Sequence, residues 1–148
     1  MISVANLLKV KTGSQVHSIT SEHSTYEALQ MMAEHNIGCI AVMDGDELKG
    51  LLTERDYARR IVLEGKKSRN TPVGETMNPD FHAIEADTPV EKCMEIMTRN
   101  RARYLPVMKK RKLVAILSIG DVVKALLQLQ ESNIDLLERM VTGQEYGS

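Results

Sequence analysis

The chain says the same thing twice. Lys49-Gly-Leu-Leu-Thr-Glu-Arg-Asp56 returns 65 residues later as Val114-Ala-Ile-Leu-Ser-Ile-Gly-Asp121, so that Thr53 recurs as Ser118 and Asp56 as Asp121. The same shift aligns Val16-His-Ser-Ile19 with Phe81-His-Ala-Ile84, Met32 with Met97, Val42-Met43 with Val107-Met108 and Leu48 with Leu113. The offset holds from about residue 16 to residue 60, which makes the chain two copies of one unit. A unit of about 60 residues has a marginal core alone, whereas two packed sheet to sheet do not.

Each copy reads as β-α-β-β-α. In the first, residues 3–9 form a short helical turn and residues 16–19 a short strand. Ser24-Thr-Tyr-Glu27 has the pattern of a capping box, and Ala28, Leu29, Met32 and Ala33 share one face of the helix behind it. The unbroken apolar run 39–43 predicts a strand buried on both faces. Asp44-Gly45 predicts a tight hairpin into a return strand over 48–52. A helix follows over 54–64, with Gly65 as its stop. Residues 66–71 are polar and basic and read as the linker; Thr71-Pro72 opens a second helical turn over 73–77 with the proline at its first position.

The second copy predicts strands over 81–84, 104–108 and 113–117. Thr88-Pro-Val-Glu91 reads as another capping box, and Val90, Cys93, Met94 and Met97 as a buried stripe. A helix over 119–130 comes next. Asn133 then reads as the N-cap of a separate amphipathic helix over 134–141, ended by Gly143, with Ile134, Leu137, Met140 and Val141 on its apolar face. The expected division is a first repeat over 1–66, a second over 67–130, and a C-terminal helix and tail over 131–148.

Composition matters mainly for what it excludes. A formal net charge of -1 exerts no whole-chain pull toward nucleic acid or membrane. One Phe, four Tyr and no Trp leave an aliphatic core filled out by nine Met. No run of about 18 apolar residues spans a membrane, and the start of the chain lacks a signal peptide. Cys39 and Cys93 stand apart among apolar residues, as buried thiols in a reducing cytoplasm do. No metal-spaced ligand set, Rossmann string or phosphate-binding Walker string occurs, and Asp44-Gly-Asp46 lacks the later ligands of a calcium loop.

Taken in register, these strings resemble a tandem pair of CBS (cystathionine β-synthase) domains. The likeness rests on Gly50-Leu-Leu-Thr-Glu-Arg-Asp56, on its echo at 118–121, and on Arg101-Ala-Arg-Tyr-Leu-Pro-Val-Met108, and it covers roughly residues 2–130. It implies an α+β fold: two β-α-β-β-α repeats related by a pseudo-twofold, with small mixed sheets packed against helices and two clefts between the repeats. It also implies a flat homodimer and a non-catalytic regulatory role. The expected ligands are adenosine compounds: AMP, ADP, ATP, NAD or S-adenosylmethionine. No metal is required. The expected partners are such a small molecule, a second copy and a regulated protein, with no membrane and with nucleic acid unlikely.

Under that resemblance each residue type has a chemical reason. One carboxylate accepts from both ribose hydroxyls with charge-assisted strength, the role for Asp56 and Asp121. Thr53 and Ser118, with the neighbouring amide of Ile119, stand at helix starts where the dipole suits phosphate. Ile19 and Thr20 with Ile40, Ala41 and Val42 offer one adenine slot; Ala83 and Ile84 with Tyr104, Leu105 and Pro106 offer the other. Arg55, Arg59, Arg101, Arg103 and Lys124 are the candidate phosphate cations, and His82, like His17, a polar group at a cleft edge. Ala41 stands where the second copy has Pro106, and Gly50 where it has Ala115, so the two clefts are expected to differ.

Plainer readings stand beside these. Thr53-x-x-Asp56 and Ser118-x-x-Asp121 are also capping boxes with Asp in place of Glu, and the two roles can coexist. Arg59 and Arg60 also fit a solvated helix face, and Lys109-Lys-Arg-Lys112 a solvated hairpin tip. An alternative to the sensor is a dimeric interaction scaffold with vestigial clefts, working through its last helix. No nucleophile stands with a positioned base, so an enzyme is not expected.

Overall fold

In the computed structural model, which describes residues 2–10 and 16–142, the duplication becomes two three-stranded sheets. The first holds β1 (Ser18–Ile19), β2 (Cys39–Asp44) and β3 (Glu47–Thr53) in that order; the second holds β4 (Ile84–Glu85), β5 (Tyr104–Lys109) and β6 (Lys112–Ser118). In each sheet the short strand is parallel to the middle one, and the middle one is antiparallel to the third. The register is the same in both: Ile19 pairs Val42 and Ile84 pairs Val107, with a bulge after Val42 and after Val107. An identical register follows from identical alternation, because a one-residue slip would turn the buried face outward.

The helices are α1 (Val4–Val10), α2 (Thr25–Glu34), α3 (Glu54–Tyr57), α4 (Val73–Thr76), α5 (Val90–Asn100) and α6 (Ile119–Thr142). Helix α3 runs on into a π-helical turn over Ala58–Val62, and Gly65 ends that segment at φ +69. Ser24 caps α2, accepting from the Glu27 amide at 3.1 Å.

Three expectations about helix starts fail. Thr88 does not cap α5: Pro89 takes that position, and the Thr88 hydroxyl accepts from the Glu85 amide at 3.2 Å instead. A side-chain cap is not needed there, because the Val90 amide already donates to the Ile2 carbonyl at 2.9 Å. Pro72 likewise caps α4 rather than beginning it. Asn133 does not start a new helix. Helix α6 continues without a break to Thr142, since no Gly or Pro follows Gly120 within it and one internal Asn costs only a few tenths of a kcal/mol. Gly143 lies outside the described residues.

Each repeat lends a helix to the other. Val4 and Leu7 of α1 are buried in the second core, with Ile84, Val90, Cys93, Met97, Leu105 and Leu117. Val73 of α4 is buried in the first, with Ile19, Ala28, Met32, Ile40, Val42 and Leu52. Backbone bonds fix both crossings: the Val4 amide to Thr88 and the Ala5 amide to Ala86, then the Thr25 amide to Thr71 and the Val73 amide to His23. Between the repeats lies a third cluster, Cys39, Ala41 and Leu51 against Phe81, Tyr104, Leu113 and Ile116, where the sheets meet.

Candidate functional site

Thr53 ends β3 and caps α3. Its hydroxyl accepts from the Asp56 amide at 3.1 Å, and its own amide and hydroxyl each donate to Asp56 Oδ2 at 2.9 Å. Ser118 and Asp121 repeat this, with 2.9 Å from the Ser118 amide to Asp121 Oδ2 and 3.1 Å from the Asp121 amide to the Ser118 hydroxyl. Thr53-x-x-Asp56 and Ser118-x-x-Asp121 are therefore capping boxes. They also fix the carboxylate: both bonds to Asp56 use Oδ2, and among the described residues none reaches Oδ1. The start of each helix is tied to the entry of its own middle strand, Glu54 to Gly38 at 3.3 Å and Ile119 to Arg103 at 2.8 Å.

Asp56 faces a cleft of about 510 Å³. The first repeat lines it with Gly38, Leu51, Thr53, Glu54, Arg55, Asp56, Arg59 and Arg60; the second with Phe81, His82, Arg101, Ala102, Arg103 and Tyr104; the connection between them adds Asn78 and Asp80. Five arginines face three carboxylates in that lining, so it is net cationic. Arg59 and Arg60 reach it from the π-helical turn, which inserts a residue and turns the side chains relative to an α-helix. Arg60 is occupied, donating to the carbonyls of Thr76 and Met77. Arg101 caps α5 in the left-handed region at φ 53, where the equivalent position of the first repeat is Asn36 at φ 51. Asn tolerates that backbone and Arg does so at a cost. Tyr104 lies so close to Gly38 that a Cβ there would stand 2.5 Å from its hydroxyl. Burial raises the Tyr104 pKa, and the neighbouring Cys39 and Glu54 add to it.

The two repeats part company at Ala41 and Pro106. The Ala41 amide donates to the His17 carbonyl at 3.3 Å, so β1 begins pairing at Ser18. Pro106 has no amide to give, and β4 begins one rung later at Ile84. Residues 81–83, expected as strand, are left unpaired, and Phe81 and His82 turn to the cleft. In the first repeat the counterpart His17 stacks on His35, with ring centroids 3.7 Å apart.

Of the anticipated residues, Thr53, Arg55, Asp56, Arg59, His82, Arg101, Arg103 and Tyr104 come together here, across the repeats rather than within one. Ser118, Ile119, Asp121 and Lys124 lie at the start of α6, outside this cleft. Ile40, Ala41 and Leu105 are fully buried, and Ile19, Ile84 and Pro106 are buried as well, so they present no side chain to it. Thr20 bonds His23 at 2.6 Å. Sequence reasoning missed Gly38, Leu51, Glu54, Asn78, Asp80, Phe81 and Ala102. The Asn78-Pro-Asp80 string is a turn signal that points to the connection, and the Asp80 amide does close on Asn78 Oδ1 at 2.9 Å.

Comparison with known proteins agrees with this duplicated architecture. The model of the CBS domain matches residues 9–63 and again 73–128. This chain belongs to the CBS-domain family. A solved CBS-domain protein from Burkholderia ambifaria, described as a signal-transduction protein, is 40% identical and superposes with a TM-score of 0.82 over 86% of this chain and 95% of its own. A mitochondrial CBS-domain protein of Arabidopsis thaliana is 35% identical over 129 residues, 84% of this chain but 63% of its own length. The CBS-domain protein YhcV of Bacillus subtilis is 32% identical over 108 residues, 73% of this chain and 76% of its own. Within this CBS pair no cluster of three or more His, Cys, Asp or Glu among the described residues is placed to hold a metal ion. No helix among them is long and apolar enough to cross a membrane.

Proposed function

We propose that this CBS pair is a regulatory module that takes an adenine nucleotide in the cleft between its repeats. The observation that carries the reading is the union, in one cleft, of a carboxylate positioned by its own capping box and four arginines not tied to the backbone of the connection, Arg55, Arg59, Arg101 and Arg103. In this reading Asp56 accepts through Oδ1 from both ribose hydroxyls. The arginines suit phosphate. Phe81 and Tyr104 form the apolar wall on which adenine rests. The strained backbone at Arg101 fits a residue kept for its side chain. A net cationic lining favours AMP, ADP, ATP or NAD over the cationic S-adenosylmethionine. Ser118, Ile119, Asp121 and Lys124 serve the same roles in the mirror cleft, while Ile19, Ile40, Ala41, Ile84, Leu105 and Pro106 contribute through backbone and shape. Binding can regulate only through a difference in affinity between two states of the pair.

Calorimetric titration with AMP, ATP, NAD and S-adenosylmethionine tests this. Asp56→Ala should weaken the preferred nucleotide by about 10- to 150-fold, the worth of a charge-assisted hydrogen bond of about 1.5–3 kcal/mol. A 2′-deoxy analogue should lose affinity for the native protein and lose nothing further in the variant. Equal binding of ribose and deoxyribose forms would remove the ribose role from Asp56. No heat with any adenosine compound would leave the interaction-scaffold reading, which the exposed apolar residues of α6 favour.

A further inference from the structure

The second half of α6 has nothing over it. Every residue from 131 to 142 is exposed, including Ile134, Leu137, Met140 and Val141, the last at 86%. A helix of this length with an uncovered apolar face is marginal in water by itself. The exposed apolar side chains continue onto the half of α6 that lies on the body, where Val123 and Leu127 also face outward. Val123, Leu127, Gln130, Ile134, Leu137 and Val141 are separated alternately by four and three residues, the spacing of a coiled-coil seam. The buried side chains of the same helix, Val122 and Ala125, lie off that seam and face the second core.

We propose that α6 pairs antiparallel with α6 of a second copy, so that the free half of each covers the body half of the other. Seam positions then stack Leu127 on the partner's Leu137, Gln130 on the partner's Ile134 and Val123 on the partner's Val141, each twice by symmetry. Charge selects the direction. In this register Lys124 flanks the partner's Glu138, again twice, while beside the axis Glu131 meets its own copy. A parallel pair sets Leu126 against the partner's Glu131 and Asn133 against the partner's Glu138, with no opposite charges in register. The proposal does not rest on the nucleotide reading and stands whether or not the cleft takes a ligand.

Sedimentation of the full chain at tens of micromolar should give a dimer. Ile134→Glu with Leu137→Glu should raise the dimer dissociation constant at least a hundredfold, with the circular dichroism of the body unchanged because both side chains are already in solvent. Cysteine pairs read the direction. Leu127→Cys with Leu137→Cys should cross-link between copies under mild oxidation, and Leu137→Cys alone should not; native Cys39 and Cys93 are buried and stay out of the reaction. A monomeric native chain, or a dimer indifferent to the two glutamates, overturns the proposal. Cross-linking by Leu137→Cys alone overturns the antiparallel arrangement.

Discussion

Replacing Gly50 by alanine should damage the protein far more than the size of a methyl group suggests. A Cβ on Gly50 would stand 2.8 Å from the Asn78 carbonyl oxygen and 2.8 Å from the Met77 sulfur. The sulfur is the end of a flexible side chain and can move. The carbonyl cannot move freely, because it accepts the Leu51 amide at 3.0 Å while the Asn78 amide donates to Leu51 at 2.8 Å. Arg60 also holds the neighbouring Met77 carbonyl. Either the contact is endured, at the 1–3 kcal/mol typical of overpacking, or the bridge parts and two backbone hydrogen bonds go at about 1 kcal/mol each. The expected loss is about 1–3 kcal/mol. At about 3 °C per kcal/mol for a chain of this length, the unfolding midpoint should fall by roughly 3–9 °C. Gly120→Ala is the control: its nearest neighbour would be the Ser118 hydroxyl at 3.6 Å, and inside a helix alanine should add about 0.5–1 kcal/mol. Urea denaturation of both variants reads the two signs directly. A Gly50→Ala protein within about 0.5 kcal/mol of the parent would show that the connection is not pinned where the hydrogen bonds place it.

Pro106→Ala should restore the missing rung of the second sheet and extend β4 back to residue 83, the counterpart of Ser18. Amide exchange should show protection at position 106, from a bond to the His82 carbonyl like that of the Ala41 amide to His17; an unprotected amide there would refute the account of the asymmetry. Burial pushes the Cys39 thiol up to about 12, with Asp56 adding to it, and burial pushes Cys93 up to about 11. At pH 8 a disulfide reagent should modify them slower than free cysteine by about two to three orders of magnitude until the protein is unfolded, and a fast phase from the native state would contradict this. Asp44 is held below the usual carboxylate range by the Ser21 hydroxyl at 2.6 Å and the Ser21 amide at 3.0 Å. A lowered folded pKa stabilises above the unfolded value of about 3.9 and is lost as pH falls through the folded value. Asp44→Asn should therefore flatten the acid limb of stability against pH, and superimposable limbs would deny Asp44 that role.

Much of the architecture was legible because it was written twice. Two copies of one alternation pattern can only make two sheets of one register, and they do. Thr53-x-x-Asp56 and Ser118-x-x-Asp121 announced both a cap and a carboxylate at a helix start, and Asp56 is both a capping partner and a cleft residue. What stayed hidden was mostly a matter of partners. The apolar residues of α1 and α4 mark each as something to bury, but no local pattern says that Val4 belongs to the second core and Val73 to the first. The clefts were expected between the repeats, but each adenine slot was drawn from the residues of one repeat; which residues of the two repeats share a wall is decided only by the packing of the sheets. The role of Pro106 was visible only as a difference from Ala41; its effect, one absent amide freeing Phe81 and His82, acts on a strand 25 residues away. The uninterrupted α6 shows the opposite error, since an Asn at a plausible cap position was read as a boundary that nothing in the neighbouring residues enforces.

The exchange of α1 and α4 between the repeats has a consequence for the order in which the chain can be completed as it is synthesised. Helix α1 is made first, yet Val4 and Leu7 have no core to enter until α5 and the second sheet exist. The first repeat in turn stays open along α2 until Val73 arrives. Neither half is finished by its own residues, so the growing chain cannot bank a completed first repeat before starting the second. The first core can close once Val73 is made, but until residues past Leu117 are available α1 remains an apolar segment in search of a partner, so the second core closes last and with the first segment of the chain.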